Sequence, residues 1–354
     1  HIAHAEFKRT EQHTLYMRIN EILKAAMYRR DKPIAFKSSV SLLVNNLTCY
    51  INLEKGSLNY AAVHRYLVNI VSSTPDGSQV THKQVMCKEP STTQQGTSMI
   101  IQAKWVTLPA RVVLVITSIK GIQMFEYDGS AMLYWHALKD HAENADQCNF
   151  GRGIAGVGEN LICIGSETGE IMVFSIPSKG PNVALKETLK GHKSAICDLT
   201  SDHNNLYSSD DEGNIIMWTL QGSQIQQTGK IPGSGDSVSS IAVWKSIIVA
   251  CYGNGQIKAY SAKTGKVGAV VNAHARWINA VSVAKGTGLV LTASEDSFVR
   301  VWQLNEGPTP ELEFKFAECV TDLQLVGAQF VDENGKAFAV TGYDSPDLIF
   351  FSHS

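Results

Sequence analysis

Leu161-Ile-Cys-Ile-Gly-Ser-Glu-Thr-Gly-Glu-Ile-Met-Val-Phe174 is the stretch that decides how the chain reads. A β-forming run, Leu161 to Gly165, meets the polar turn Glu167-Thr-Gly169, and a second run, Ile171 to Phe174, leaves it. Glycine stands where a tight hairpin needs positive φ, so the stretch reads as two antiparallel strands. The same figure recurs along the chain. Second strands end at Met124-Phe125, Val173-Phe174, Met217-Trp218, Ala259-Tyr260, Val301-Trp302 and Ile349-Phe350, whose aromatic members lie 49, 44, 42, 42 and 48 residues apart. Asp211-Glu-Gly213, Tyr252-Gly-Asn-Gly255 and Glu295-Asp-Ser297 form the corresponding turns. From about residue 38 onward such short runs alternate with Gly, Asn, Asp and Ser clusters, and no long stretch has helical apolar periodicity. The pattern is all-β.

A repeat of about 40 to 45 residues with a visible hairpin in each unit marks a WD-type β-propeller blade of four strands, kelch blades running nearer 50. Six units follow from the hairpins, near 98–147, 148–192, 193–235, 236–275, 276–319 and 320–354. A degenerate unit precedes them over 38–90, with strands expected at Val40 to Leu43, Ala61 to Val63, Tyr66 to Val71 and Gln84 to Cys87. A Thr74-Pro-Asp-Gly77 turn separates the last two. The expected fold is therefore one seven-bladed β-propeller over residues 33–354. The last unit stops after Leu348 to Phe351, the place of its third strand. Its fourth strand is expected from Pro33-Ile-Ala-Phe-Lys37, an N-terminal strand that closes the ring and hides an open sheet edge. Residues 1–32 differ in kind, with seven Lys or Arg against four Asp or Glu. Leu15, Ile19, Ile22, Leu23 and Ala26 share one helical face there. This basic extension is expected to be transiently helical and dispensable, and not native to the propeller because Met27 can itself start a chain; the competing expectation is a docking helix.

With 354 residues and 44% hydrophobic content the chain can bury a sizeable core. Lys plus Arg number 31 against 33 Asp plus Glu, so no electrostatic excess is present to hold nucleic acid. The longest apolar runs, such as Val112 to Ile116, fall far below the roughly 18 residues that span a bilayer, and no membrane insertion is expected. Seven dispersed cysteines without a CxxC point to free thiols in a reducing compartment. A cytoplasmic location follows as the expectation, with the Asn46-Leu47-Thr48 sequon unglycosylated. HExxH, GxSxG and P-loop strings are absent, so no catalytic, cofactor-binding or metal residue is expected.

Gly191-His192 stands ahead of a first strand with Trp218 26 positions after the histidine, and Ala273-His274 is followed 28 positions later by Trp302. These spacings resemble the Gly-His and Trp-Asp marks of the WD-repeat family. In that family a loop His, a second-strand Ser or Thr, a turn Asp and a third-strand Trp form a buried hydrogen-bonded tetrad. The resemblance implies His274, Thr292, Asp296 and Trp302 in blade six, and His192, Ser208 or Ser209, and Trp218 in blade four. Blade four departs from the pattern in that Glu212 occupies the Asp place, and neither Trp is followed by Asp. From Met27 onward, strings such as Tyr134-Trp-His-Ala-Leu138, Tyr252-Gly-Asn-Gly-Gln256, Asn272-Ala-His-Ala-Arg276 and Phe338-Ala-Val-Thr-Gly-Tyr-Asp344 are similar to one branch of that family. What this implies is a cytoplasmic propeller used as an interaction platform, with no catalytic residues to carry over.

Gly151-Arg-Gly-Ile-Ala-Gly156 spells GxGxxG, yet a polar loop precedes it and a β run follows it. A dinucleotide site needs a strand before and a helix after, so the string is expected to be the first strand of a blade. Asp210-Asp-Glu-Gly213 lacks the ladder of a calcium loop and reads as a solvated turn. Arg276-Trp277 sits at a blade entry, and Arg152 and Lys193 hold comparable places, so the four are expected to line one rim. Arg and Trp are the residue types most enriched in interface hot spots, the competing role of Trp277 being core. The expected function is a noncatalytic interaction scaffold within a cytosolic multiprotein assembly, holding other proteins, acidic or phosphorylated segments among them, by its loop face. The alternative is an enzyme, or a ligand or modified-peptide sensor, working in the central channel. That alternative would gather carboxylates, histidines or a metal at the channel mouth, whereas a scaffold would present an apolar rim patch.

Overall fold

Every regular element in the computed structural model, which describes residues 27–87, 98–138 and 150–353, is a β-strand. Blade four shows the plan, with Ile196–Asp202 innermost, then Asn205–Asp210, Ile215–Gln221 and Gln224–Ile231 outermost, each antiparallel to the one before. Seven such sheets surround a channel, and the chain is a seven-bladed β-propeller. The inner strands of the other blades are Thr48–Asn52, Ile100–Leu108, Gly151–Val157, Val238–Trp244, Ile278–Ala284 and Leu325–Phe330. In blades two to seven the inner strand slips register near its start, a bulge that tightens the local twist and re-aims side chains there.

Among the described residues the core is not a single central one. Seven apolar clusters each lie between two neighbouring blades, as where Ile154, Ile162 and Phe174 of blade three meet Val113, Val115 and Met124 of blade two. The GxGxxG string serves this packing. Gly153 has φ +80°, and a Cβ there would stand 2.7 Å from the Leu199 nitrogen of blade four; a Cβ on Gly156 would stand 2.8 Å from Val106 of blade two. Glycine is needed for sheet approach.

The ring is closed by the N-terminal segment in two pieces. Tyr28–Arg30 pairs with Phe351 to His353, and Ile34–Ala35 pairs with Asp347 and Leu348, both antiparallel to the strand Asp347–His353. The closing contact thus starts five residues before Pro33, and the chain between the two pieces carries the proline, which has no N–H to give a ladder. Residues 28–32 accordingly belong with the propeller, because the Tyr28 ring is buried against Phe316 and Phe338 and its hydroxyl donates to Gly335 O at 2.5 Å. The helical face of Leu15 to Ala26, the loop 91–97 and Cys148 lie outside the described residues.

Blade one differs from expectation at its inner strand. Val40 to Leu43 is not in the sheet: Val40 makes a lone bridge to Tyr343, and the inner strand is Thr48–Asn52. The apolar run goes instead to seams between blades, where Val40 and Leu47 pack with Val326 and Leu348 of blade seven.

Candidate functional site

Two buried hydrogen-bonded frames fix the loops of the upper face, the face on which each inner strand begins. In blade six, His274 Nε2 lies 2.9 Å from Thr292 Oγ1, His274 Nδ1 lies 3.0 Å from Asp296 Oδ2, and Trp302 Nε1 donates to Thr292 Oγ1 at 3.3 Å. Arg300 Nη1 also reaches His274 Nδ1 at 2.8 Å and Asp296 Oδ2 at 3.3 Å. In blade four, His192 Nε2 lies 2.7 Å from Ser208 Oγ, which accepts from Trp218 Nε1 at 2.8 Å. His192 Nδ1 lies 2.7 Å from Asp210 Oδ2. Blade four is therefore complete, with Asp210 and not Glu212 as the carboxylate. Asp210 follows Ser208 by two on the same strand, and side chains two apart share a face; Glu212 is exposed in the turn.

Burial works against both carboxylates, yet hydrogen bonds outweigh it. Asp210 is held below the ordinary carboxylate range by His192 and Asn214, and Asp296 well below it by His274 and the Ala275 and Phe298 N–H groups. Burial pushes His274 down from its usual value.

The channel mouth on this face is stoppered by residues 41–46. Asn45, at φ 54°, turns the chain inward. Its Nδ2 donates to Asp198 Oδ2 of blade four at 3.0 Å, its Oδ1 accepts from Ser240 of blade five at 2.9 Å, and its N–H donates to Asn279 O of blade six at 2.8 Å. Asn46 is buried, its N–H on Val326 O of blade seven and its side chain on Ser41 O and both backbone groups of Val63. The sequon asparagine is thus consumed by the fold. Asp198 takes four donors, from Asn45, Ser240 and the N–H groups of Leu199 and Ile241. It is a structural keystone of the channel, a role the sequence reading missed, although a lone Asp within the apolar run Ile196 to Leu199 is a signal of a satisfied buried charge.

On top of the stopper lies a pit of about 170 Å³ lined by Leu42, Leu43, Val44, Arg152, Trp277, Asn279 and Glu295. Of the four rim residues expected from sequence, the structure brings Arg152 and Trp277 together here. The Arg152 guanidinium lies over the Phe150 ring at 5.4 Å, and Trp277 is half-buried against Gly253, where an added Cβ would stand 2.3 Å from its ring. Arg276 is exposed and points to Glu295 at 3.8 Å. Lys193 is exposed and outside the pit. Leu42 is the residue that the sequence did not single out, and half of it faces solvent. Among the described residues, no group of three or more His, Cys, Asp or Glu could hold a metal.

A family model described as WDR54 matches residues 27–354. The chain belongs to the WDR54 family. WD repeat-containing protein 54 of Mus musculus is 38% identical over 337 residues, covering 92% of this chain and 99% of the mouse protein. The Homo sapiens protein of the same name is 39% identical over 339 residues with the same coverage. Among solved structures, a chain of the mitotic checkpoint complex superposes with a TM-score of 0.69 at 14% identity, covering 92% of this chain and 96% of that one. The WD40 β-propeller domain of Doa1 gives 0.67 at 15% identity, with 93% and 98% covered. These last two likenesses establish the fold alone. For a WDR54 propeller the fold suits a protein-interaction scaffold, and no described helix is long and apolar enough to cross a membrane.

Proposed function

We propose that this WDR54-family propeller is a noncatalytic scaffold that grips a partner protein on its upper face, in a cytosolic multiprotein assembly. The observation that carries the reading is the pit over the stoppered channel. A half-exposed Leu42, set on a segment pinned to four blades, is apolar surface held rigidly at the centre of a face, and rigid central apolar anchors make hot spots. Tyr66, Met99 and Tyr343 are also exposed, in loops between strands that open on the same face. The Arg152 guanidinium on the pit wall, with Lys193 exposed beyond it, favours a segment that presents a bulky apolar residue beside a carboxylate or phosphate. A cytosolic setting is supported by Cys49, Cys163, Cys197, Cys251 and Cys319, which form no disulfide.

Immobilised peptides that pair a bulky apolar residue with Asp, Glu or phosphoserine test the reading. Leu42→Asp and Arg152→Glu are each expected to weaken retention of the wild-type binders about 30-fold, equivalent to roughly 2 kcal/mol, with the melting temperature unchanged. Equal retention by wild type and both variants would exclude the pit as the binding face. The channel reading, in which the central opening performs chemistry from this face, meets the stopper and a carboxylate, Asp198, whose oxygens are already taken.

A further inference from the structure

Below the stopper the inner strands of six blades enclose a second cavity of about 170 Å³, closed above by Asn45 and Leu47. Several of its polar side chains turn donors to it, while Thr200 and Gln329, which also line it, can donate or accept. Gln102 Oε1 accepts from Gly153 N–H at 2.8 Å, Thr48 Oγ1 from Trp105 N–H at 3.2 Å, and Ser282 Oγ from Phe330 N–H at 3.1 Å. Each of these oxygens already accepts from the backbone, and each side chain keeps a donor to offer the cavity, an amide NH₂ or a hydroxyl proton. Lys104 Nζ gives one bond to Ile154 O at 2.7 Å, and Lys285 Nζ gives one to Val243 O at 2.6 Å. An ammonium carries three N–H groups, so two on each remain.

The two lysines line one cavity from blades two and six, and the charge of Lys104 is felt at Lys285. Burial, foremost, pushes both below the usual lysine value. Two carboxylates stand near them, Asp198 toward Lys104 and Asp202 toward Lys285. Asp198 is occupied by its four donors. A cation entering here would further disfavour the protonated form of the two lysines, and an apolar guest would strand several N–H and O–H donors away from water. A compact group with acceptors on every side would satisfy them.

We propose that the lower part of the channel binds a small multivalent oxyanion of the phosphate or sulfate class, coordinated by Lys104, Lys285, Gln102, Thr48 and Ser282. Entry is from the lower face, where Lys285 is exposed. The volume suits one phosphoryl or sulfuryl group with a few waters, and the upper-face reading is independent of it.

Calorimetric titration of the full chain at constant ionic strength, with inorganic phosphate, sulfate, chloride and a blocked phosphoserine peptide, tests this. Saturable one-to-one phosphate binding, displaced by sulfate, is expected. It should weaken about 10-fold or more in Lys104→Gln and in Lys285→Gln and be unchanged in Lys193→Gln. Should Lys104→Gln fail to fold, Lys285→Gln at the exposed mouth still decides. Tighter binding of the phosphopeptide than of free phosphate would identify a phosphorylated chain as the source, and the reverse order a free anion. A response to phosphate and peptide no different from that to chloride, or saturable binding that survives in Lys285→Gln, would overturn the site.

Discussion

Asp210→Ala is expected to destabilise the chain by about 3 to 5 kcal/mol, because it strands several buried donors that one carboxylate serves. The carboxylate is fully buried and serves His192 Nδ1, the N–H groups of Glu212 and Asn214, and the Asn214 amide. Without it the histidine loses its orientation toward Ser208, and Ser208 is the group on which the Trp218 N–H rests. Asp296→Ala in blade six should cost less, about 1 to 3 kcal/mol. There Arg300 stays within hydrogen-bond reach of His274 Nδ1 when the carboxylate is gone. Glu212→Ala, in the exposed turn, should stay within about 0.5 kcal/mol. Denaturant midpoints of the three variants check the order; a cost for Glu212→Ala as large as that for Asp210→Ala would return the carboxylate role to the turn.

The same frames make the fold acid-sensitive. His274 is depressed by burial, so the unfolded chain binds its proton more readily, and stability should begin to fall below about pH 6.5. Asp210 and Asp296 are depressed too, so their contribution is complete above about pH 4 and is lost as the pH drops below that. Melting temperatures recorded from pH 7.5 to 3 should fall in these two stages, and Asp210→Ala should flatten the second. A profile that is level down to pH 4.5 would contradict the His274 assignment.

Truncation to Lys37 is expected to have the largest effect of all. It removes the buried rings of Tyr28 and Phe36, each worth about 3 to 5 kcal/mol on the scale of buried aromatic deletions. It also removes the paired backbone of Tyr28–Arg30 and Ile34–Ala35 and the bonds from Asp31 N–H to Phe350 O and from Phe36 N–H to Pro346 O. The strand Asp347–His353 is left as an open edge, a template for association. The summed loss rivals the roughly 5 to 15 kcal/mol that holds a typical domain together, so insoluble protein is the expected result. A chain beginning at Met27 keeps every one of these contacts and should melt with the full chain. Equal melting of the Lys37 and Met27 chains would dismiss ring closure by this segment.

Seven blades were legible in the sequence because a hairpin is a local object: its turn glycine, its two β runs and its terminal aromatic sit within about 15 residues, and the figure repeats. The blade-six frame was legible through the WD-repeat resemblance, whose His, Thr, Asp and Trp marks fall on His274, Thr292, Asp296 and Trp302 within 29 residues of chain. In blade four the carboxylate was sought in the turn, although strand alternation carries Asp210 to the side of Ser208. Local pattern failed where partners are remote. Val40 to Leu43 has the composition of a strand, but Asn45 and Asn46 find their partners at Asp198, Ser240, Asn279 and Val326, roughly 150 to 280 residues on. Those groups become neighbours only when the ring closes and brings the bulged starts of four inner strands around one axis. Lys104 and Lys285 share a cavity for the same reason. Local sequence determined the blades, because turn and strand preferences act over a few residues; the stopper, the pit above it and the donor-lined cavity below it were decided by ring closure, which alone sets distances across the channel.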